Sequence, residues 1–423
     1  MCDIDLMSEV KMKNKVVLFS VIMIIFAAMG LLACTANTTP PDDTHVHMYT
    51  GVWHYDQDVH WHECSCGEVE YAIHSFDSDI CSLCGYQKDA NSTGGLSYSL
   101  NENGETYYVS DYGYCLENNV VIPSTYKGKP ITEIGMGAFY GCDKIKSVVI
   151  GDNVTSIGDR AFDQCDNLTR VSIGDGVTSI GSKAFYGCTN LITLLIGEGV
   201  TYISGDAIKG CDSLRYNEYD NCQYLGNAAN PYVALIKAKN NMTSVTIKEN
   251  TKLIGCSAFY NCFNLVNVII PENVVTIGAN AFTNCFDLVN VIIPDNVISI
   301  GASAFENCHD LEEVVIGDSV EIIYDNAFAD CVSLKSIVLP KSVKYLSDYV
   351  FYNCGILTAV FYKGTMEEWN NITLGDGTFN SGYVASTNVI FYCFSENKPT
   401  ELGYYWHYVN GKPAIWSEED TPV

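Results

Sequence analysis

The chain has 423 residues, with 23 Lys and Arg against 50 Asp and Glu, and its formal net charge is −27 at pH 7. This acidity excludes nucleic acid as a partner and disfavours charge-driven binding to anionic lipid, because both need a surplus of basic side chains. Hydrophobic residues make up 48% of the chain and charged residues 17%, which predicts an ordered protein with a sizeable core.

Residues 1–33 have the pattern of an export signal. Three lysines precede the apolar run of residues 16–32, which ends in the motif LLAC. This motif resembles the bacterial lipoprotein box, which implies cleavage before Cys34 and a lipid on its sulfur. The alternative is an uncleaved anchor, although a run of this length barely reaches across a bilayer. We expect the polar, Pro-containing residues 34–44 to form a tether.

Residues 45–88 form a small module that holds six of the eight histidines. Its cysteines form two pairs separated by 14 residues: Cys64, Cys66, Cys81 and Cys84. Four thiolates suit a closed tetrahedral zinc site that would hold a small fold together. The first pair is Cys-x-Cys instead of Cys-x-x-Cys, so His62 or His74 could replace one cysteine as a ligand. Disulfides, or neither, remain the alternatives to this structural zinc.

After a flexible linker at residues 89–95, a repeat occupies residues 96–361. The copies AFDQCDNLTRVSIGDGVTSIGSK and AFTNCFDLVNVIIPDNVISIGAS share Ala, Phe, Cys, Leu, a Val-x-Ile strand signal, a turn and a second apolar pair. A self-similar period of 23 residues predicts a β-rich solenoid, in which each coil buries its apolar edge against its neighbours.

One interval of the repeat is longer than the others. The segment between Cys211 and Cys262 exceeds one period by 28 residues. We expect its residues 217–238 to bulge from the stack as a hairpin before the repeat resumes.

The repeat places one cysteine in each coil: Cys142, Cys165, Cys188, Cys211, Cys262, Cys285, Cys308, Cys331 and Cys354. Stacked coils bring such a column to a spacing of about 4.8 Å, which is compatible with some disulfides. A straight column does not converge on a tetrahedral metal. Cysteine beside Ala and Phe packs as a small hydrophobe, so we predict a structural ladder of thiols, with partial disulfide formation or metal binding as alternatives.

The strand of each coil predicts a candidate binding surface. Its middle residue faces outward and forms what we call the outward column: Val149, Ser172, Leu195, Ile269, Ile292, Val315 and Val338. The residue two positions earlier forms the flanking column, whose candidate contacts are Arg170, Asn267, Asn290 and Glu313. An apolar stripe in solvent suggests a contact face. The alternative is that β-branched residues only stabilise the strands.

A column of mostly acidic residues follows the turn of each coil: Asp152, Asp175, Glu198, Glu272, Asp295, Asp318 and Lys341. Calcium would relieve the repulsion between stacked carboxylates. Local hydrogen bonding, for which turns favour Asp, is the alternative.

Residues 362–423 leave the repeat, and we expect them to cap the last coil. Thr365 and Glu368 form a capping-box pattern that predicts a short helix. Trp369 and the segment YYWHYVNGKPAIW supply aromatic bulk that would cover the open sheet edge. Sugar binding is the alternative role for these aromatic residues.

The sequence predicts no enzyme. It contains no Gly-rich phosphate loop, and outside residues 45–88 the histidines are His309 and His407.

The pattern AFxxCxxLxxVxIPxxVxxIGxx is similar to that of the BspA-like leucine-rich repeat surface proteins, over about residues 95–416. The resemblance implies a right-handed solenoid with short parallel strands on its concave face. It also implies a role at the bacterial surface in adhesion, with an extracellular protein or glycan as ligand and the membrane reached through the N-terminal lipid. The rival interpretation is a structural spacer or envelope component without a tight ligand.

Overall fold

A computed structural model describes five short strands between residues 54 and 81 and most of the chain beyond: residues 94–113, 117–375, 390–399, 403–410 and 412–416. The chain divides into two compact units, Met1–Lys88 and Asp89–Val423.

In the first unit the structure describes five short strands, all paired antiparallel: β1 His54–Tyr55, β2 Val59–Glu63, β3 Val69–Ile73, β4 Phe76–Asp77 and β5 Ile80–Cys81. Strands β1, β2 and β3 form one sheet, and β4 pairs with β5.

The second unit begins with a lead-in to the repeat, comprising β6 Ser97–Leu100, β7 Tyr107–Asp111, β8 Asn119–Val121, β9 Thr125–Tyr126 and β10 Lys129–Ile134. Strand β6 pairs antiparallel with β7, and β7 pairs parallel with β10, which starts a row of stacked strands.

Each coil then contributes a longer strand, the Val-x-Ile segment, and a two-residue strand. Before the insert these are β11 Ser147–Ile150, β12 Ser156–Ile157, β13 Arg170–Ile173, β14 Ser179–Ile180, β15 Thr193–Leu195 and β16 Tyr202–Ile203. Both rows are parallel, and each residue pairs with the residue one period later, as in Ser147 with Arg170 and Ile157 with Ile180. The solenoid and the 23-residue period predicted from the sequence are therefore confirmed.

The insert forms three strands, β17 Asn217–Tyr219, β18 Cys222–Leu225 and β19 Ala234–Ala238. The prediction of a hairpin is correct, because β17, β18 and β19 pair antiparallel. The prediction that this hairpin bulges out of the stack is wrong. Strand β19 joins the next coil as a parallel partner, and Tyr224, Ala234 and Leu235 are buried. The hairpin lies inside the stack because the coils on both sides present apolar edges, which its own apolar residues cover.

The repeat resumes after the insert with β20 Ser244–Thr246, β21 Leu253–Ile254, β22 Asn267–Ile269, β23 Thr276–Ile277, β24 Asn290–Ile293, β25 Ser299–Ile300, β26 Glu313–Ile316, β27 Ile322–Ile323, β28 Ser336–Leu339 and β29 Tyr345–Leu346. The hairpin interrupts both rows, so that each row consists of one sheet before the insert and another after it.

The C-terminal segment extends the same two rows. It comprises β30 Ala359–Tyr362, helix α1 Met366–Trp369, β31 Thr373–Leu374, β32 Ile390–Phe394, β33 Tyr405–Val409 and β34 Lys412–Ile415. The predicted helix is present: the Thr365 Oγ1 accepts the Glu368 amide at 3.2 Å, and the Glu368 carboxylate accepts the Thr365 amide at 2.8 Å. Trp406 is fully buried, and its Nε1 donates to the Tyr362 carbonyl at 2.9 Å.

The core of the solenoid is a set of columns rather than a central cluster. The repeated Ala, Phe, Cys and Leu are buried in nearly every coil. The Phe rings lie parallel, with centroid distances of 4.8 Å for Phe259–Phe282, 5.0 Å for Phe282–Phe305 and 5.3 Å for Phe305–Phe328. Each coil therefore completes the core of the coil before it.

Within the described part of the chain, no helix is both long and apolar enough to cross a membrane. The predicted signal and tether, including Cys34, lie outside the described residues.

Candidate interaction surface

The outward column starts on the strands before the insert. Val149 lies between buried Val148 and Ile150, so its side chain is on the opposite face of β11 and is 43% exposed. The register aligns Val149 with Ser172, and Ser172 with Leu195. Ser172 and Leu195 are half-buried. This part of the column is therefore mixed in polarity and only partly open to solvent.

After the insert, the outward column becomes apolar and more exposed. Ile269 is 62% exposed, Ile292 is 66% exposed and Val315 is 44% exposed. Strand register aligns Ile292 with Val315, and Val315 with Val338, which is half-buried. Branched apolar side chains thus occupy exposed positions in three successive coils.

The flanking column edges this stripe with polar groups. Asn267, Asn290 and Glu313 are all exposed and are aligned in register with one another. Arg170 is exposed on the strands before the insert. The structure therefore brings together the predicted contacts after the insert, whereas Val149, Arg170 and Leu195 form a separate group before it.

A second row of ring side chains after the insert, in which Phe263 and His309 are exposed and Phe286 is half-buried, was missed in the sequence analysis. Phe263, Phe286 and His309 directly follow the repeat cysteine in three successive coils. Their rings are stacked, with centroid distances of 5.1 Å and 4.8 Å. The signal was visible in the motifs NCFNL, NCFDL and NCHDL, since the four coils before the insert carry polar residues at this position: Asp143, Asp166, Thr189 and Asp212.

The repeat cysteines are buried and carry free thiols. In most coils the Sγ donates to the carbonyl of the Phe one coil earlier, at 3.0 Å from Cys165 to Phe139 and 3.3 Å from Cys285 to Phe259. Burial raises the pKa of Cys262 to about 11 and that of Cys354 to about 12, so these groups stay protonated thiols. Their burial and their protonated state match the predicted packing role.

The acidic column is held by hydrogen bonds between coils. The Asp152 Oδ1 accepts the Asp175 amide at 2.9 Å, and the Asp175 Oδ1 accepts the Glu198 amide at 2.9 Å. The Asp295 Oδ1 accepts the Asp318 amide in the same way. These contacts match the hydrogen-bonding alternative, and among the described residues no group of three or more His, Cys, Asp or Glu is arranged to hold a metal ion.

The predicted zinc site cannot be built from the described residues. Cys64, Cys66, Cys84 and His74 lie outside them. His62 is in β2 and Cys81 is in β5, where the structure describes the strands and their pairing. The zinc site therefore stays a prediction.

The family pattern of the BspA type leucine rich repeat region matches residues 110–235 and 234–358, which together are more than half of the chain. The chain belongs to this family. The match covers both sides of the insert, so the interrupted stack is one repeat region, as the resemblance implied.

Among solved structures, a leucine-rich repeat protein from Bacteroides ovatus is 26% identical, with 71% of this chain and 69% of that chain covered and a TM-score of 0.32. A leucine rich cell surface protein from Faecalibacterium prausnitzii is also 26% identical, with 67% and 97% covered and a TM-score of 0.27. The pneumococcal vaccine antigen PcpA is 17% identical, with 82% and 95% covered and a TM-score of 0.37. No curated protein matches the chain.

Proposed function

We propose that this protein is a lipid-anchored protein of the bacterial cell surface that binds an extracellular macromolecule and catalyses no reaction. The signal-like N-terminus and LLAC motif support the anchor. Membership of a repeat family supports a binding role, because such families use extended surfaces built from successive coils.

The observation that carries the proposal is the outward column after the insert. Ile269, Ile292 and Val315 each expose more than two fifths of their side-chain surface on adjacent parallel strands. If these positions served only to stabilise the strands, Thr would suit them as well, because Thr is also β-branched. Unlike Ile and Val, Thr would not expose an apolar stripe to water. A rigid apolar stripe with a polar edge has the composition of a protein interface, in which an apolar centre is surrounded by polar groups.

The experiment measures binding of the full chain, in mild detergent, to fibronectin, fibrinogen, mucin and bacterial glycans. The test variant replaces Ile269, Ile292 and Val315 with Asp. The control variant replaces Ile298, Val332 and Ile356 with Asp, because these residues are 47%, 41% and 44% exposed and lie off the column. Both variants change the net charge equally, so general repulsion by an acidic chain affects them alike.

We expect saturable binding to one of these macromolecules that the test variant weakens by at least about tenfold, since buried carboxylates at the centre of an interface are strongly unfavourable. The control variant should bind as the unmodified chain does. Binding that survives in the test variant would overturn the assignment to the outward column. Absence of binding to every macromolecule tested would favour the structural spacer. Lipid attachment is checked separately by Cys34→Ser, which should release the chain from membranes.

A further inference from the structure

The insert leaves a break in the backbone hydrogen bonds between coils. In a regular coil the amides of Phe162 and Gln164 donate to carbonyls of the next coil at 2.7 and 2.8 Å. Ile208 and Gly210 occupy the same two positions in the coil before the hairpin. Within the described part of the chain, these two amides have no backbone acceptor. One wall of the break therefore presents two N–H donors without a partner from the stack.

A cavity of about 500 Å³ lies at this break. It is bounded by the two coils and the hairpin, and its lining includes Lys209, Tyr216, Gln223, Lys237, Asn240 and Tyr260. A second cavity of about 390 Å³ shares Gln223, Lys237 and Asn240 with it and adds Lys239. The volume of the first cavity falls within the range of about 300 to 1,000 Å³ that is usual for small-molecule sites.

The lining of the first cavity is basic in a strongly acidic protein. It contains two lysines and no Asp or Glu, whereas the chain carries a formal charge of −27. Among the described residues, neither Lys209 nor Lys237 has a carboxylate within ion-pair distance. Asp206 does not line the cavity, and its carboxylate accepts hydrogen bonds from the hydroxyls of Ser204 and Ser182. The charged side chains that line the cavity are therefore all basic, which favours an anion over a cation.

We infer that this cavity binds a carboxylated sugar. The two ammonium groups and the Ile208 amide match a carboxylate, which prefers charge-assisted and backbone N–H donors. Amide side chains such as Asn240 and Gln223 can both donate to and accept from sugar hydroxyls. Tyr216 and Tyr260 add aromatic surface beside these polar groups. A sugar ring has an apolar face that would pack against such a surface. The second cavity gives room for an adjoining sugar unit.

The experiment titrates the full chain, in mild detergent, with glucuronate and N-acetylneuraminate by calorimetry. Glucose tests the need for the carboxylate, and acetate and inorganic phosphate test the need for the sugar. The test variant is Lys209→Gln with Lys237→Gln. The control variant is Lys144→Gln with Lys146→Gln, which removes the same charge from exposed lysines elsewhere in the solenoid.

We expect saturable binding of at least one acidic sugar, weakened by at least about tenfold in the test variant and unchanged in the control variant. Glucose, acetate and phosphate should bind at least about tenfold more weakly than that sugar. Failure of both acidic sugars to bind at millimolar concentration would overturn the inference, as would equal loss in the control variant or equal binding of phosphate or acetate.

This site is independent of the outward column. The variant with Asp at Ile269, Ile292 and Val315 should therefore bind the acidic sugar as the unmodified chain does, whatever it does to macromolecular binding. Loss of sugar binding in that variant would contradict a site confined to the insert.

Discussion

The residue before each repeat cysteine shows how one backbone angle selects the amino acid. All nine residues at this position have a positive φ: Gly141, Gln164, Gly187, Gly210, Asn261, Asn284, Asn307, Asp330 and Asn353. Gly, Asn and Asp tolerate this left-handed region, whereas other residues adopt it at a cost of about 1–2 kcal/mol. Gln164, with a φ of 59°, is the exception. The Asn residues also bond one another, as in Asn284 Nδ2 to Asn261 Oδ1 at 2.7 Å.

This comparison gives a prediction for Gln164. Replacing Gln164 with Asn should raise the free energy of unfolding by about 0.5–1 kcal/mol, because Asn fits the left-handed backbone with less strain. Chemical denaturation followed by circular dichroism measures the change.

The reverse substitution provides the control. Asn307→Gln should lower the free energy of unfolding by about 1 kcal/mol, because it adds strain and removes the 3.0 Å bond from Asn307 Nδ2 to Asn284 Oδ1. If Gln164→Asn instead lowered the free energy of unfolding, the positive φ at residue 164 would not determine which residue is most stable there.

At the scale of the element, the stacked Phe column should carry much of the stability of each coil. Phe305 is fully buried between Phe282 and Phe328. Phe305→Ala should lower the free energy of unfolding by about 3–5 kcal/mol, because it leaves a cavity and removes two ring contacts. Thermal and chemical denaturation measure this loss.

Phe263→Ala is the matched control, since Phe263 is 43% exposed. We expect it to change the free energy of unfolding by less than about 1 kcal/mol. Similar losses for the two substitutions would mean that the column packs less tightly than its ring spacing implies.

Some elements of the fold could be predicted from the sequence and others could not. The Val-x-Ile strands, the capping box at Thr365 and the outward position of Ile269 follow from local periodicity, so they could be predicted. The place of the hairpin could not be, because periodicity says nothing about a segment that leaves it. Its position depends on the apolar edges of two coils that are far apart in sequence. The cavity beside Lys237 depends in turn on that placement.

At the scale of the whole repeat region, the hairpin separates two cores. One core extends from Leu96 to Leu253, and the other from Cys222 to Cys393. The hairpin contributes to both, with Ala234 in the first and Leu235 in the second. A stack of this kind unfolds by segments when the contact between neighbours weakens at one point.

We therefore predict two cooperative blocks that meet near residues 217–238. In native-state hydrogen exchange, Phe162→Ala should reduce amide protection before the hairpin and leave the later block nearly unchanged, while Phe305→Ala should do the opposite. Each reduction should correspond to about 3–5 kcal/mol. A uniform loss of protection along the repeat in both variants would show that the hairpin couples the two cores into a single unit.

The buried thiols have a consequence for unfolding in an oxidising environment. Every repeat cysteine is free and buried, so an oxidant has little access to the thiols while the coils are stacked. If heat or force unfolds a coil, several thiols become accessible at once, and the unfolded segment can form disulfides between many different pairs of cysteines. Disulfides formed in this way would prevent the coils from stacking again, so the same column that packs the coils makes their unfolding irreversible in an oxidising environment.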